Sequence, residues 1–504
     1  MYTFATPLER ALRTNPNAPA TYCEGRVQTY EQFARRCRKL GGALRALGLQ
    51  PGDRVGMVGP NSERYFELYF TVPASGFVFV PVNWRLAGPE MVSVLEDAGV
   101  RVLFMDGDFP TPEGVEHVIR MPKEYDDFVE GGAEITLGEG VHEDDLAVLF
   151  YTSGTTGVGK GAMHTHRSLL ASTMHFLATW PYDADSKWLV CSPMFHTGGT
   201  LAIMAIVWAG GSHVILPQFD PEKACDLIES QQITHTLMVP TMLSAAAKSQ
   251  RSNPRDVSSL RYLSHGASPI SVETLRATRN AFPDAELLHV YGTTETTPCT
   301  LFLKHEERII DTPLVKSCGQ PSIGVEVRIV DMSTGEEAPT GTVGELWTRT
   351  PSTMKGYWNK PEETAAVLVE GGWYRTGDLG YVDAANHVFL VDRAKDMIVT
   401  GGENVYSVEV EVALSSHPAV DEVAAFGVPD SKWGEAVYAV VVATAEVTSE
   451  ELIAHCKSQI AGYKVPKQIE VWNKPLPKSA AGKILKRDLR DPHWANQQSS
   501  VAGS

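Results

Sequence analysis

Residues 154–161, GTTGVGKG, combine glycines, threonine hydroxyls and one lysine, which are groups that can hold a phosphate. They match the G-x-x-x-x-G-K-[ST] pattern of P-loop nucleotide hydrolases except at the last position. Gly161 stands there in place of the hydroxyl that binds Mg²⁺, which argues against a P-loop hydrolase. On composition alone, an ordinary flexible turn and a different phosphate-binding loop both remain open.

The sequence after the lysine predicts an extended chain rather than a helix. In a P-loop the helix begins at the Gly-Lys pair, so that its amides hold the phosphate. Here GAMHTH (161–166) follows the lysine, and Thr165 is the predicted N-cap of a helix formed by RSLLASTMHFLAT. Lys160 is therefore predicted to lie in a loop between two extended segments.

Short apolar segments alternate with helical patterns up to about residue 300, which predicts βαβ units and a mainly parallel sheet. Farther along, at 325–331 and 344–350, polarity alternates residue by residue, as in antiparallel strands. A third region from about residue 392 contains predicted strands at 422–428 and 436–444 and a helix at 449–462. The earlier predicted strands are 54–59, 77–82, 102–106, 146–151, 188–192, 213–216, 235–239, 262–266 and 287–292.

Composition excludes several classes of protein. The chain has 504 residues and a net charge of −17, and such an acidic surface disfavours nucleic acid and anionic lipid as partners. Charges near the N-terminus and short, interrupted apolar segments argue against a signal peptide and a membrane-spanning helix. Seven scattered cysteines without a C-x-x-C pair fit reduced thiols and offer no metal site. We therefore expect a cytoplasmic protein without integral membrane association.

Residues 151–166, YTSGTTGVGKGAMHTH, resemble the signature loop of adenylate-forming enzymes: acyl- and aryl-CoA synthetases, peptide-synthetase adenylation domains and beetle luciferases. Gly159 occupies the position where this loop usually has proline, which should make the loop more flexible. Five further segments resemble motifs of the same family, in the family's order and at similar intervals. They are HGASP (265–269), YGTTE (291–295), YRTGDLG (374–380), DRAKDMIVTGGENVY (392–406) and PKSAAGKILKRDLR (477–490).

The resemblance implies an α/β fold with a large N-terminal domain and a small C-terminal domain. The large domain, residues 1–392, would consist of parallel-rich sheets with helices and a small β-barrel-like part. The small α+β domain, residues 393–504, would be mobile and would rotate about a hinge near Lys395. The rotation would bring the GGENVY segment to the active site in place of Lys483.

The family reaction has two halves and uses ATP, Mg²⁺ and coenzyme A. A carboxylate attacks the α-phosphate of ATP and releases pyrophosphate, and a thiol then displaces AMP from the acyl-AMP. Because two anions must approach each other, positive charge and oriented donors must stabilise the transition state. The resemblance assigns ATP and AMP binding to Thr152, Ser153, Gly154, Thr155, Thr156, Gly157, Lys160, Gly266, Ala267, Ser268, Tyr291, Gly292, Thr294, Asp378 and Arg393. Of these, Tyr291 and residues 266–268 would flank the adenine, and Asp378 and Arg393 would bind the ribose.

The same resemblance assigns catalytic roles to four residues. Lys483 would contact the carboxylate and the α-phosphate, and Lys160 would counter the charge of the other phosphates. Glu295, helped by Thr152, would bind Mg²⁺, a hard cation that prefers oxygen ligands. His196 would line the acyl tunnel. The alternatives are a helix-start carboxylate for Glu295, a packed histidine for His196 and an undistinguished basic tail around Lys483.

The remaining assignments concern CoA and the acyl group. Val465 stands where a related aryl-CoA ligase pattern has an arginine. One of the usual contacts to the CoA phosphate is therefore missing or is made by Lys464 instead. The residues assigned to CoA are Arg85, Gly401, Gly402, Glu403, Trp433 and Tyr463. Those assigned to the acyl pocket are His196, Met238, Gly292 and Thr293.

Together these motifs predict an ATP-dependent carboxylic acid:CoA ligase, with a fatty acid as the favoured substrate and an aromatic or alicyclic acid next. A free-standing adenylation enzyme that loads a carrier protein, a luciferase-like oxidase and a nucleotide-binding scaffold with degenerate chemistry are the alternatives. The expected partners are ATP, CoA and a small carboxylic acid, and the expected oligomeric state is a monomer or a homodimer.

Overall fold

A computed structural model describes residues 2–152, 159–200, 203–305, 307–478 and 484–494. The chain divides into two compact units. The large unit comprises Met1–Val327 and Thr348–Arg375, and the small unit comprises Arg328–Trp347 and Thr376–Ser504. Each boundary between the two units falls inside a strand rather than in a loop.

The strands are given in chain order. Those before residue 322 are β1 (Pro19–Cys23), β2 (Arg26–Thr29), β3 (Arg54–Val58), β4 (Val78–Val82), β5 (Val100–Met105), β6 (His117–Arg120), β7 (Leu146–Thr152), β8 (Lys160–Thr165), β9 (Lys187–Val190), β10 (Ser212–Ile215), β11 (His235–Leu237), β12 (Tyr262–Gly266), β13 (Glu286–Thr293), β14 (Thr297–His305) and β15 (Gln320–Pro321). The later ones are β16 (Glu326–Val330), β17 (Gly344–Arg349), β18 (Leu368–Val369), β19 (Trp373–Val382), β20 (Val388–Arg393), β21 (Ile398–Thr400), β22 (Glu403–Val405), β23 (Val420–Asp430), β24 (Gly434–Ala443) and β25 (Gln468–Trp472).

The helices connect these strands. They are α1 (Ala5–Thr14), α2 (Tyr30–Ala46), α3 (Glu63–Ala74), α4 (Gly88–Ala98), α5 (Lys123–Gly131), α6 (His166–Thr179), α7 (Thr197–Thr200), α8 (Ile203–Ala209), α9 (Pro221–Gln231), α10 (Pro240–Ser252), α11 (Val272–Ala281), α12 (Glu307–Ile310), α13 (Pro361–Val367), α14 (Ser407–Ser415), α15 (Ser449–Gln459) and α16 (Lys486–Trp494). Short 3₁₀ turns occur at Thr294–Thr296, Pro313–Lys316 and Glu370–Gly372. Among the residues described, no helix is both long and apolar enough to span a bilayer.

The large unit contains two parallel-rich sheets. One has the strand order β6-β5-β3-β4-β7-β8, in which only β7 and β8 pair antiparallel. The other has the order β15-β14-β13-β12-β11-β9-β10-β1-β2 and is parallel from β13 to β1. Every strand predicted before residue 300 lies in one of these sheets, so the predicted α/β arrangement is confirmed.

Helix α3 contacts both sheets through β4, β7 and β1. Nearly every residue of this helix is buried, although its sequence includes two glutamates. Its one fully buried carboxylate, Glu67, accepts hydrogen bonds from Arg36 (2.6 Å) and from the Tyr125 hydroxyl (2.8 Å). The charge that burial would otherwise penalise is therefore paired within the core.

The small unit is an α+β structure. One of its sheets has the order β22-β21-β24-β23, with β25 added parallel to β24. Helices α14 and α15 contact each other, and their apolar side chains share one core with β21 and β24. The strands predicted at 422–428 and 436–444 and the helix predicted at 449–462 are present as β23, β24 and α15, as expected from their patterns.

Candidate active site

The stem of the glycine loop is an antiparallel strand pair. Thr152, the last residue of β7, lies opposite Lys160, the first residue of β8. Lys160 was predicted to lie in a loop, but it begins the strand because pairing with β7 extends to it. Helix α6 begins after Thr165, whose side chain accepts a hydrogen bond from the Ser168 amide, and this confirms the predicted N-cap. Ser153, Gly154, Thr155, Thr156 and Gly157 lie outside the described residues.

The two glycines beside Lys160 leave no room for larger residues. A Cβ atom on Gly159 would lie 2.6 Å from the carbonyl oxygen of Thr152, and one on Gly161 would lie 3.0 Å from the Tyr151 ring. The first distance is shorter than any ordinary contact, and the atom in the way is backbone. The glycine at the usual proline position therefore matches the close approach of β7 and β8 in this chain.

Glu295 lies in the 3₁₀ turn that follows β13, and three hydrogen bonds hold the backbone of this turn. The His164 Nε2 donates to the Thr294 carbonyl (2.8 Å), the Met354 amide to the Glu295 carbonyl (2.6 Å) and the Ser352 hydroxyl to the Thr296 carbonyl (2.6 Å). Burial lowers the pKa of His164 to about 4, so its ring is neutral and its Nε2 proton serves as a donor. The carboxylate of Glu295 thus projects from a fixed turn.

Tyr357 connects Glu295 with Lys160. Its hydroxyl donates a hydrogen bond to Glu295 Oε1 (2.7 Å), and the Lys160 ammonium lies 5.0 Å from the centre of its ring. Burial, reinforced by the charge of Glu295, raises the pKa of Tyr357, so the phenol keeps its proton. Sequence analysis did not identify Tyr357, because the contact with Glu295 joins segments that are far apart in the chain. We call Lys160, Tyr357 and Glu295 the bridge cluster.

The residues assigned to adenine lie at the carboxyl ends of two paired parallel strands, where open α/β sheets bind their ligands. Gly266 ends β12, and a Cβ atom there would lie 2.1 Å from the Val290 carbonyl of β13. Ala267 follows with a positive φ of 67°, so the chain turns sharply before Ser268. Tyr291 and Gly292 belong to β13 itself, next to this turn.

The residues assigned to ribose lie in the small unit and contact each other. Asp378 of β19 is opposite Arg393 of β20, and Asp378 Oδ1 lies 2.6 Å from Arg393 Nε. Asp378 is buried, and its amide donates to the Thr376 hydroxyl at 3.0 Å. Such a fixed carboxylate is suited to accept hydrogen bonds from sugar hydroxyls.

The assigned hinge residue, Lys395, lies in an exposed turn directly after β20. The amides of Asp396 and Met397 both donate to the Arg393 carbonyl and close this turn. Lys483 lies outside the described residues.

The residues assigned to CoA in the small unit are mostly exposed. Gly401 and Gly402 have positive φ values of 60° and 84°, and a Cβ atom on Gly401 would lie 2.8 Å from the Trp433 ring. Glu403 begins β22 and is exposed. Trp433 is 41% exposed and Tyr463 is 43% exposed. The ammonium groups of Lys432 and Lys464 lie 4.5 Å and 5.6 Å from the centres of these two rings.

Two further observations concern the CoA assignments. Val465 is buried in the core of the small unit, and the Lys464 ammonium forms an ion pair with Glu409 at 2.7 Å. A phosphate bound by Lys464 would therefore have to compete with a carboxylate. In the large unit, the exposed Arg85 has its guanidinium 5.1 Å from the centre of the Trp84 ring.

His196 and Met238, both assigned to the acyl pocket, have different surroundings. His196 precedes α7 and is partly exposed, and its Nδ1 accepts a hydrogen bond from the Gly198 amide at 3.2 Å. Met238 is fully buried in an apolar cluster with Met242 and Leu243. Thr293, assigned with them, lies at the end of β13, within 3.4 Å of the Thr296 hydroxyl.

A cavity of about 30 Å³ lies between β7, α6, α7 and α8. Its described lining combines hydroxyls with apolar side chains and does not include Met238. Sequence analysis did not identify this lining, since helical spacing alone does not distinguish a cavity wall from a packed core. The lining includes the threonines Thr197, Thr200 and Thr297 and the apolar side chains Phe150, Leu169 and Met204.

Tyr357 thus brings together a lysine at the stem of the glycine loop and a carboxylate that follows β13, which belong to the two parallel-rich sheets. The profile of AMP-binding enzymes matches residues 8–358, and the profile of the AMP-binding enzyme C-terminal domain matches residues 409–483. The chain belongs to the AMP-binding enzyme family, in its acyl-CoA ligase branch, and it is an AMP-forming acid–thiol ligase.

Relatives of known function differ in substrate. The chain is 38% identical to a feruloyl-CoA synthase of Amycolatopsis sp over 496 residues, which cover 96% of this chain and 97% of the relative. It is also 38% identical to the fatty acid–[acyl-carrier-protein] ligase ScoC of Streptomyces coeruleorubidus over 504 residues, covering 96% of this chain and 95% of the relative. Fold and enzyme class are thus confirmed, whereas these relatives differ in both acid and thiol.

Solved structures agree with this assignment. ATP-bound MatB from Rhodopseudomonas palustris superposes with a TM-score of 0.88 and 29% identity, covering 97% of this chain and 99% of that one. The o-succinylbenzoate CoA synthetase of Bacillus subtilis, in complex with its acyl-adenylate, gives a TM-score of 0.87 and 28% identity, covering 96% and 98%. Both similar structures therefore contain an adenine nucleotide or an adenylate.

Proposed function

We propose that this protein is an ATP-dependent carboxylic acid:CoA ligase that forms an acyl-AMP, releases pyrophosphate and then transfers the acyl group to CoA. The observation that carries the proposal is the bridge cluster beside the glycine loop, in a chain that is similar to acid ligases over 96% of its length. Such an arrangement offers one cation and one oriented carboxylate to a triphosphate.

The bridge cluster fits a Mg²⁺ ion. Glu295 Oε1 accepts from Tyr357, and no described residue hydrogen-bonds to Oε2. No group of three or more acidic, histidine or cysteine side chains that could hold a metal occurs among the described residues. A single carboxylate completed by phosphate and water oxygens suits Mg²⁺, which keeps much of its hydration. When bound, Mg²⁺ would neutralise charge on the phosphates.

The chain's own residues then perform defined tasks in the proposed reaction. The Lys160 ammonium counters the charge that accumulates on pyrophosphate as it leaves. Lys483 neutralises the attacking carboxylate and the α-phosphate, and Asp378 with Arg393 holds the ribose. After adenylation, the small domain, residues 393–504, rotates about Lys395 and brings residues 401–403 to the thiol.

We propose a fatty acid as the first candidate substrate, supported by the similarity to the fatty acid–[acyl-carrier-protein] ligase ScoC. An aryl acid is the second candidate, supported by the similarity to a feruloyl-CoA synthase. The cavity of about 30 Å³ is too small for either acid, so its lining does not decide between them.

AMP release tests this proposal. The purified protein would be supplied with ATP, Mg²⁺ and CoA over acetate, octanoate, palmitate, benzoate, cinnamate, ferulate and malonate. We expect release with octanoate or palmitate if the substrate is a fatty acid, and with cinnamate or ferulate if it is an aryl acid. A carrier protein in place of CoA serves as the comparison. Faster turnover with the carrier protein than with CoA would contradict the proposed acceptor.

A further inference from the structure

Tyr357 is the described residue that contacts both charged groups of the proposed ATP site. Its hydroxyl donates to Glu295 Oε1 at 2.7 Å while its ring lies 5.0 Å from the Lys160 ammonium. Tyr357 is buried, with 6% of its surface exposed. One rigid ring thus faces a cation and hydrogen-bonds an anion.

The backbone around Tyr357 is fixed against β8. Tyr357 forms an antiparallel bridge with Ala162, and its amide donates to the Thr364 hydroxyl at 2.8 Å. Its neighbours add two more bonds, from the Trp358 amide to the Gly161 carbonyl (2.8 Å) and from the Met163 amide to the Gly356 carbonyl (2.9 Å). The ring therefore keeps its place relative to the strand that begins with Lys160.

Charge explains why a tyrosine suits this position. An ammonium and a carboxylate in direct contact would neutralise each other and would have to separate before either could bind phosphate or metal. Within the described chain, no ion pair joins Lys160 to Glu295, although both contact the same ring. A phenol hydrogen bond orients the carboxylate without removing its charge, and the ring face attracts the ammonium without donating to it.

We propose that Tyr357 is a positioning residue for adenylation: it orients Glu295 for Mg²⁺ and holds Lys160 apart from Glu295. The inference rests on the proposed function, since it assigns a task to the ATP site of that reaction. Tyr357 contacts neither substrate nor reacting atoms in this account, and it acts through Glu295 and Lys160.

The test distinguishes the contribution of the Tyr357 hydroxyl from that of the Tyr357 ring. Tyr357→Phe removes the hydrogen bond to Glu295 but keeps the ring beneath Lys160, whereas Tyr357→Leu removes both. The matched control is Tyr125→Phe, which deletes a buried hydroxyl that donates to a carboxylate, Glu67, at 2.8 Å. If loss of a buried phenol hydroxyl merely loosens the protein, both Phe variants should behave alike.

The readout is equilibrium binding. Mn²⁺, as a probe for Mg²⁺, would be titrated by electron paramagnetic resonance into protein saturated with α,β-methylene-ATP. We expect Tyr357→Phe to weaken Mn²⁺ binding about tenfold, as loss of a hydrogen bond to a charged group does, with metal-free analogue affinity unchanged. Tyr357→Leu should weaken metal-free analogue binding as well, by about threefold, because Lys160 loses its ring contact.

Mn²⁺ affinity within twofold of wild type in Tyr357→Phe, or an equal loss in Tyr125→Phe, would overturn the proposed role of Tyr357. A double variant provides a second check, since in a Glu295→Gln background the Tyr357→Phe change should have no further effect on Mn²⁺ binding. Failure of the wild-type protein to bind the analogue at all would instead refute the proposed function, so the two failures are distinguishable.

Discussion

The bridge cluster in the large unit and the CoA-assigned surface in the small unit differ in how they are held. Glu295 projects from a turn with three fixed carbonyls, and its carboxylate is oriented by Tyr357. Trp433 and Tyr463 instead lie at the surface, with 41% and 43% of their side chains exposed. Preorganised charges suit a chemical step with a demanding transition state, whereas exposed rings suit a ligand that binds and leaves.

The largest effect is expected from a substitution of Lys483, the lysine assigned to the adenylation step. Lys483→Ala should reduce acyl-AMP formation at least about 100-fold, because a cation opposite two anions is lost. Thioester formation from pre-made acyl-AMP should be preserved. Lys478→Ala, which removes a nearby lysine paired with Glu422, serves as the control. An equal loss in both half-reactions, measured by AMP release and thioester yield, would remove this assignment.

The assignment of Lys395 as the hinge predicts the reverse result: thioester formation is lost and adenylation is kept. Lys395→Pro should slow thioester formation about 100-fold yet spare adenylation, because proline restricts the backbone rotation that the second step requires. Lys395→Ala should retain both steps, since it changes the side chain and not the backbone. Rapid thioester formation by the proline variant, in the same paired assays, would rule out a hinge at this position.

Acid should destabilise the large unit. Burial lowers the pKa of five of its histidines: His164, His166, His235 and His289 to about 4, and His213 to about 3. Below pH 6.5 the unfolded chain binds protons that these folded histidines do not, so their stabilisation is present above pH 6.5 and is lost as pH falls toward 4. The expected loss is roughly 2 kcal/mol for each histidine at pH 5. Urea unfolding at pH 7.5 and 5.0 would show it as a lower midpoint, and an unchanged midpoint would contradict the burial of these rings.

The strand pair at Lys160 predicts a smaller, local effect. Gly159→Ala would place a Cβ atom 2.6 Å from the Thr152 carbonyl oxygen, so β7 and β8 must separate and Lys160 must move. We expect adenylation to fall about tenfold, the usual order for displacement of a charged group. Gly114→Ala meets no atom within 4 Å and is the control. An unchanged adenylation rate in Gly159→Ala would contradict this expectation, because it would show that Lys160 works equally well when β7 and β8 are farther apart.

The smallest effect is expected at the exposed surface. Trp433→Ala should raise the KM for CoA about fivefold through loss of a stacking face, without changing acid-dependent adenylation. Saturation curves for CoA and for ATP would show which of the two KM values changes. A rise in the KM for ATP instead would show that the ring belongs to the nucleotide site.

Local patterns were sufficient for some parts of the fold and not for others. The Thr165 N-cap and the buried parallel strands are encoded by neighbouring residues, and these predictions were correct. The hairpin of β1 and β2 was missed, although Glu24 and Gly25, both with positive φ, form its tight turn. Its strands are short and partly polar, so the alternation of polarity gave no signal.

In the candidate site, too, some residues could be predicted from the sequence and others could not. Glu295 and Lys160 stand in recognisable motifs, but Tyr357 reaches Glu295 only through the tertiary fold. The cavity between α6, α7 and α8 is likewise formed by residues from several elements, and Met238 is buried in a separate apolar cluster. Motifs predict which groups take part, whereas partners that orient them depend on packing.

Acid-dependent exchange of ³²P-labelled pyrophosphate into ATP, without CoA, is the decisive experiment for adenylation at the bridge cluster. We expect exchange in the wild-type protein with at least one acid of the panel, and a loss of about 100-fold in Glu295→Gln, which keeps the shape of the side chain but not its charge. Exchange of equal rate in Glu295→Gln, or none in the wild-type protein with any acid, would contradict an adenylation site at the bridge cluster.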